Sequence, residues 1–124
     1  MRTLRFHLLI FLFISNLDHL HGQWVQTTGP TGASVTCFAT MPGRIFAGMA
    51  SGSVFQSTDE GITWRFAAMS LTSLGVHSLT TLDTMLFAAT GGIGVFRTVN
   101  YGAAWTPFNG GLTDIEVNVL ASNA

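Results

Sequence analysis

The sequence predicts an all-β fold made of repeated four-stranded antiparallel sheets. Three observations predict it: a gapless internal repeat of 41 residues, short β-rich runs punctuated by turn residues, and the lack of any helical apolar period. Residues 34–64 align with 75–105 at 8 identical positions in 31. The identities include Val35/Val76, Phe46-Ala47/Phe87-Ala88, Val54-Phe55/Val95-Phe96, Gly61/Gly102 and Trp64/Trp105. Near-matches Phe38/Leu79, Ile45/Leu86, Ser57/Thr98 and Asp59/Asn100 lie between them. A third copy starts in the same phase, with Val117 matching Val76 and Leu120 matching Leu79.

Each element follows from local chemistry. Val35 to Thr40 is rich in strand formers, and Met41-Pro42-Gly43 signals a turn. Arg44 to Met49 is small or apolar at nearly every position, which suits a strand covered on both faces. Ala50-Ser51-Gly52 turns again, Ser53 to Ser57 is the third strand, Thr58 to Gly61 turns, and Ile62 to Ala67 is the fourth. Gly and β-branched residues interrupt every window that a helix would need. Four short strands with tight turns, repeating every 40-odd residues, is the pattern of a β-propeller blade.

The organisation expected is therefore a propeller segment of about two full blades plus an extra strand at each end. Residues 1–22 read as a signal peptide, because Arg2 and Arg5 precede the apolar run Leu8 to Ile14. That run is too short to span a bilayer, which takes about 20 apolar residues. Residues 23–33 form the outer strand of a preceding blade (Gln23 to Gln26) and a connecting loop. Residues 34–74 are blade one, 75–115 are blade two, and 116–124 are the first strand of a truncated third. Closing a ring takes at least four blades, so the chain reads as a fragment or as a protomer that closes a ring with copies of itself.

Composition excludes several function classes. The chain has 124 residues, 14 Gly, 10 Phe and 3 Trp, but no Lys, and its net charge is −1. Beyond residue 22, three arginines face five carboxylates, a balance of −2. Such a surface lacks the basic footprint of a nucleic-acid binder and has no evident pull toward an anionic membrane. With 48% hydrophobic and only 9% charged residues, the chain is no disordered tail. One cysteine, Cys37, excludes an internal disulfide framework and a Cys-rich zinc module. Cys37 aligns with Ser78 and reads as a small packing residue. His77 stands without a metal-ligand pattern. Gly91-Gly92-Ile93-Gly94 precedes no helix, so it is a hairpin turn and not a phosphate loop. Asp83 is a turn residue, and Asp114 and Glu116 lie in a loop and at the start of the third copy. No cofactor and no metal is expected.

The most specific motif is Ser57-Thr58-Asp59-Glu60-Gly61-Ile62-Thr63-Trp64, which fits S-x-D-x-G-x-T-W. Its second copy, Thr98-Val99-Asn100-Tyr101-Gly102-Ala103-Ala104-Trp105, has Thr for Ser, Asn for Asp and Ala for Thr. A short acceptor at Asp59 or Asn100 bonds backbone N–H groups two residues on and closes the turn. Gly61 and Gly102 allow positive φ. Trp64 packs as a large wedge between sheets.

With these motifs the chain resembles the Asp-box, or BNR, repeat β-propellers of the sialidase-like group of secreted bacterial proteins. The resemblance spans residues 23–124. It implies that Ser57, Asp59, Gly61, Thr63, Trp64, Thr98, Asn100, Gly102 and Trp105 are structural residues at the rim, away from the binding face. The family includes sialidases, endoglucanase-type glycosidases, receptors and assembly factors, so the motif indicates fold and not activity. Sialidases use three arginines, a nucleophilic Tyr with a Glu partner, and an acid Asp. This chain has Arg44, Arg65, Arg97 and Tyr101, but none falls where the family's catalytic positions can be transferred. No catalytic residue is assigned. The reading is an extracytoplasmic binding or scaffold module for a glycan or protein partner, with further blades or self-association completing the ring. The alternatives are the N-terminal part of a secreted sialidase-like or endoglucanase-like hydrolase, or an assembly-factor or receptor-like propeller.

Overall fold

The computed structural model describes residues 24–32, 34–68, 71 and 74–123. Its eight strands are β1 (Val35–Met41), β2 (Arg44–Met49), β3 (Val54–Ser57), β4 (Arg65–Ala68), β5 (Val76–Leu82), β6 (Met85–Thr90), β7 (Gly94–Thr98) and β8 (Thr106–Pro107). They form two four-stranded antiparallel sheets in the orders β1-β2-β3-β4 and β5-β6-β7-β8. Among the described residues there is no helix. The expected signal peptide, residues 1–22, lies outside the described residues.

Each strand is where the residue pattern demands, with two shifts. The fourth strand of sheet one starts at Arg65 rather than Ile62. Ile62, Thr63 and Trp64 stay in the preceding turn, because a side-chain hydrogen bond from the turn captures the Thr63 N–H that a ladder would need. Its counterpart β8 is only two residues long. Pro107 carries no N–H, which confines it to an edge position. Asn109 then takes over the end of the ladder, its Oδ1 accepting the Val95 N–H at 2.7 Å.

The repeat extends to irregularities of the backbone. The β1–β2 register shifts between Val35 and Cys37, and the β5–β6 register shifts between Val76 and Ser78, at the equivalent place. Three hairpin turns fall as read from the sequence, at 42–43, 50–53 and 91–93. Asp83 sits in the β5–β6 turn with φ 53°.

The core lies between the sheets. β5 stacks against β1 and β2, and Met41, Phe46 and Val54 meet Val76, Leu79, Leu86 and Ala88. Phe46 is fully buried, and removing its ring from water stabilises the fold by roughly 1.5–3 kcal/mol. Two hydroxyls lock the stack across the seam. Thr36 Oγ1 donates to the Val76 carbonyl, and Thr81 Oγ1 donates to the Thr40 carbonyl at 3.0 Å.

Neither expected extra strand is a strand in the structure. Residues 24–31 form none, and Trp24 is fully exposed. Residues 117–123 form none either, although Glu116 makes an isolated bridge with Gly91.

Gly48 shows how tightly the sheets meet. A Cβ there would lie 2.6 Å from Cys37 Sγ and 2.7 Å from Val76 Cγ1. Gly48→Ala should therefore destabilise the chain by about 1–3 kcal/mol through overpacking. Urea unfolding checks this, and a neutral substitution would show that the sheets can part at no cost.

Candidate functional site

The β3–β4 turn of sheet one is held by four side chains, Ser57, Asp59, Thr63 and Trp64. Ser57 is buried, and its Oγ donates to Asp59 Oδ1 at 2.8 Å while accepting the Gly61 N–H at 2.8 Å. Asp59 Oδ1 also accepts the Thr63 N–H at 2.8 Å, and its Oδ2 accepts the Thr63 hydroxyl at 2.5 Å. Trp64 Nε1 donates to the Gly61 carbonyl at 3.0 Å. The chain reverses through the left-handed region at Glu60 (φ 59°) and Gly61 (φ 88°).

The β7–β8 turn repeats this wiring with different atoms. Thr98 Oγ1 donates to Asn100 Oδ1 at 2.9 Å and accepts the Gly102 N–H at 3.0 Å. Asn100 Oδ1 accepts the Ala104 N–H at 2.9 Å, and Trp105 Nε1 donates to the Gly102 carbonyl at 3.1 Å. Tyr101 and Gly102 take the left-handed conformation, at φ 58° and 91°. Two details differ from the sequence reading. The acceptor at Asp59 or Asn100 reaches the N–H four residues on, not two. The preceding hydroxyl, Ser57 or Thr98, caps the glycine.

These bonds fix the charge state of Asp59. The Thr63 hydroxyl, then the Thr63 N–H and the Ser57 hydroxyl, lower its pKa from the ordinary 3.8 to about 2. Such a group stays ionised near neutral pH and cannot serve as a general acid there.

The two tryptophans occupy different places. Trp105 packs at the margin of the core between the sheets. Trp64 packs instead on the outer face of sheet one, against Ala47, Met49 and Phe55, with Phe38 at 6.2 Å. The wedge role read from the sequence for Trp64 is not seen; its repeat equivalent Trp105 fills it instead, because no sheet covers the outer face of sheet one among the described residues.

The other candidates scatter. Cys37 is half-buried, and desolvation raises its pKa, so the thiol is a poor nucleophile. His77 Nδ1 lies 3.2 Å from Asn118 Oδ1. Asp114 Oδ1 accepts the Glu116 N–H at 2.9 Å, closing its own loop. Among the described residues, no group of three or more His, Cys, Asp and Glu could hold a metal ion.

One cluster was not foreseen from sequence. Arg44 Nη1 donates to Gln56 Oε1 at 2.6 Å, and the guanidinium lies 4.2 Å from the centre of the Tyr101 ring. Arg44 thereby ties β2 and β3 to the turn of the other sheet, and the face of Tyr101 is used for packing. Arg44, Gln56, Thr58, Thr63 and Arg65 line a shallow hollow of about 170 Å³. The repeat offered no signal for it, because Met85 stands where Arg44 would recur.

Two measurements follow from this geometry. Trp105→Ala should cost about 3–5 kcal/mol as a core truncation. Trp64→Ala should cost distinctly less, because one side of Trp64 faces no second sheet. Urea unfolding of both variants checks the order, and equal costs would mean that the inter-sheet position is not decisive. The depressed pKa of Asp59 gives a second test. Its ionised form is favoured in the folded state, so its contribution is fully present above pH 4 and is lost as pH falls toward 2. Asp59→Asn, which copies Asn100, should flatten this part of the stability–pH curve relative to the parent. Coincident acid slopes would refute the turn as its source.

No protein-family model matches the chain, and no curated protein matches it.

Proposed function

We propose that the chain is part of an Asp-box β-propeller that acts outside the cytoplasm as a binding or scaffold module. Each four-stranded sheet is then one blade, and the partner is a glycan or a protein held by loops on rigid sheets. The observation that carries this reading is the repeated step. β5 stacks on β1, and residues 116–123 meet sheet two in the same phase, with Asn118 at His77 and the Leu120 N–H on Ser78 Oγ at 3.1 Å. The turn motif supports it, because its hydroxyl, carboxylate or carboxamide, glycine and indole are all engaged in holding the hairpin. A glycoside hydrolase needs two carboxylates, one of them a protonated acid. Asp59 is held as an anion by its own turn, so it does not support that alternative.

Two experiments test the proposal. Expression in a secreting bacterial host should release a chain that begins near Gln23, read by mass spectrometry. An intact leader in the cytosol would refute the extracytoplasmic placement. The purified chain should bind a member of a glycan array or a surface protein while leaving a fluorogenic sialoside and xyloglucan uncut. Hydrolysis of either substrate would sink the non-enzymatic reading.

A further inference from the structure

Among the described residues, the outer faces of the two sheets carry the repeat equivalents of the residues that meet between them. Sheet one buries Met41, Phe46 and Val54 against sheet two. One repeat later, Leu82, Phe87 and Val95 line the open face of sheet two, where with Phe108 they border a groove of about 550 Å³. Sheet two, in turn, buries Val76, Leu79, Ala88 and Trp105 against sheet one. One repeat earlier, Val35, Phe38, Ala47 and Trp64 stand on the open face of sheet one, where Phe38 is 58% exposed.

Charge follows the same translation. At the inner seam Gln56 bonds Arg44, which stacks on Tyr101 of the other sheet. One repeat on, Gln56 becomes Arg97, and one repeat back, Tyr101 becomes Glu60. Arg97 Nε is buried with no hydrogen-bond partner among the described residues. Glu60 is exposed at the turn of sheet one. Repeating the internal step would carry Arg97 to the place of Gln56 in the seam, on the side of the turn of the next molecule that bears Glu60. The close approach at the inner seam has an open counterpart on sheet one. Gly102 sits where a Cβ would come within 2.7 Å of Ala67 Cβ, while a Cβ on Gly61, one repeat earlier, would meet only its own Trp64.

We propose that the open face of sheet two receives sheet one of a second copy of this chain, head to tail, with Arg97 paired to Glu60 of that copy. The contact is heterologous, so its repetition makes a ring or a filament rather than a closed dimer. Residues 116–123 now occupy the place that β1 of the incoming copy would take. They are held there by the Gly91–Glu116 bridge, the Gly94 N–H on the Ile115 carbonyl, and side-chain bonds at Asn118 and Ser122. Docking must displace them, so this segment acts as a competitor for its own interface.

The inference rests on the stacking of repeats and not on any glycan or protein ligand, so an empty glycan screen leaves it standing. Sedimentation of the purified full chain tests it. The mass should rise with concentration. Arg97→Glu alone and Glu60→Arg alone should each weaken association about tenfold or more, since each sets like charges together. An equal mixture of the two variants should restore it, because every contact then joins opposite charges. Removing residues 115–124 should strengthen association. Circular dichroism melts confirm that both charge variants, altered outside the core, remain folded. A parent that stays monomeric at every concentration overturns the proposal and points to further repeats, not a second copy, as the cover. Association that ignores the charge variants, or a mixture that does not restore it, also overturns it.

Discussion

The whole arrangement depends on one contact: the first strand of one sheet lying against the first strand of the next. A four-stranded sheet of this composition carries apolar side chains on both faces. Phe46, Met41 and Val54 lie on one face of sheet one, and Ala47, Met49 and Phe55 lie on the other. Burying one face requires a neighbour whose opposite face fits it. The 41-residue repeat supplies that neighbour in phase. The near-absence of side chain at Gly48 and Gly75 lets the strands close, with Gly75 against the Ala50 carbonyl and Gly48 against Val76. Among the described residues, the other face of each sheet has no second sheet against it.

The β3–β4 and β7–β8 turns hold the hairpins in register for that contact. Each must reverse the chain in a few residues and still deliver an indole to a defined place. Polar side chains do this by taking over N–H groups that a ladder would use. A carboxylate at Asp59 and a carboxamide at Asn100 perform the same geometry, because only one acceptor oxygen is needed for the backbone bond. The second oxygen of Asp59 has the Thr63 hydroxyl as its donor. Asn100 has no such neighbour, since Ala104 replaces Thr63. The substitutions in the second turn are thus coupled, and the turn loses one hydrogen bond without losing its shape.

Much of this was legible in the residues, and the misreadings have identifiable physical causes. Strand positions were readable because apolar runs and Gly-containing turns alternate at fixed spacing. The start of β4 was not, because Ile62 and Thr63 have strand-forming side chains, yet a bond from Asp59 holds the Thr63 N–H outside the ladder. The equivalence of Trp64 and Trp105 was visible, but their different surroundings were not. Position in a repeat does not say whether a neighbouring sheet is there to cover it. The Arg44–Gln56–Tyr101 cluster left no trace in the repeat, since it depends on two sheets meeting at positions where their sequences differ.

The Arg44–Gln56–Tyr101 cluster bears on where function can reside. Positions that recur every 41 residues are occupied by the demands of stacking and turning: Phe46 and Phe87, Gly61 and Gly102, Trp64 and Trp105. Whatever distinguishes this chain from a bare stack must lie where the copies disagree. Several of those disagreements involve charge and lie close together along the chain: Arg44 against Met85, Gln56 against Arg97, Glu60 against Tyr101, Arg65 against Thr106. All lie on β2, β3 and β4, their counterparts in sheet two, or the turns between them. At each of these sites one sheet carries a charge and the other does not, so the two sheets present different charges at equivalent places. In the seam between the two sheets stacking supplies the common affinity, and under the head-to-tail contact proposed above the substituted pairs would distinguish one seam from the other.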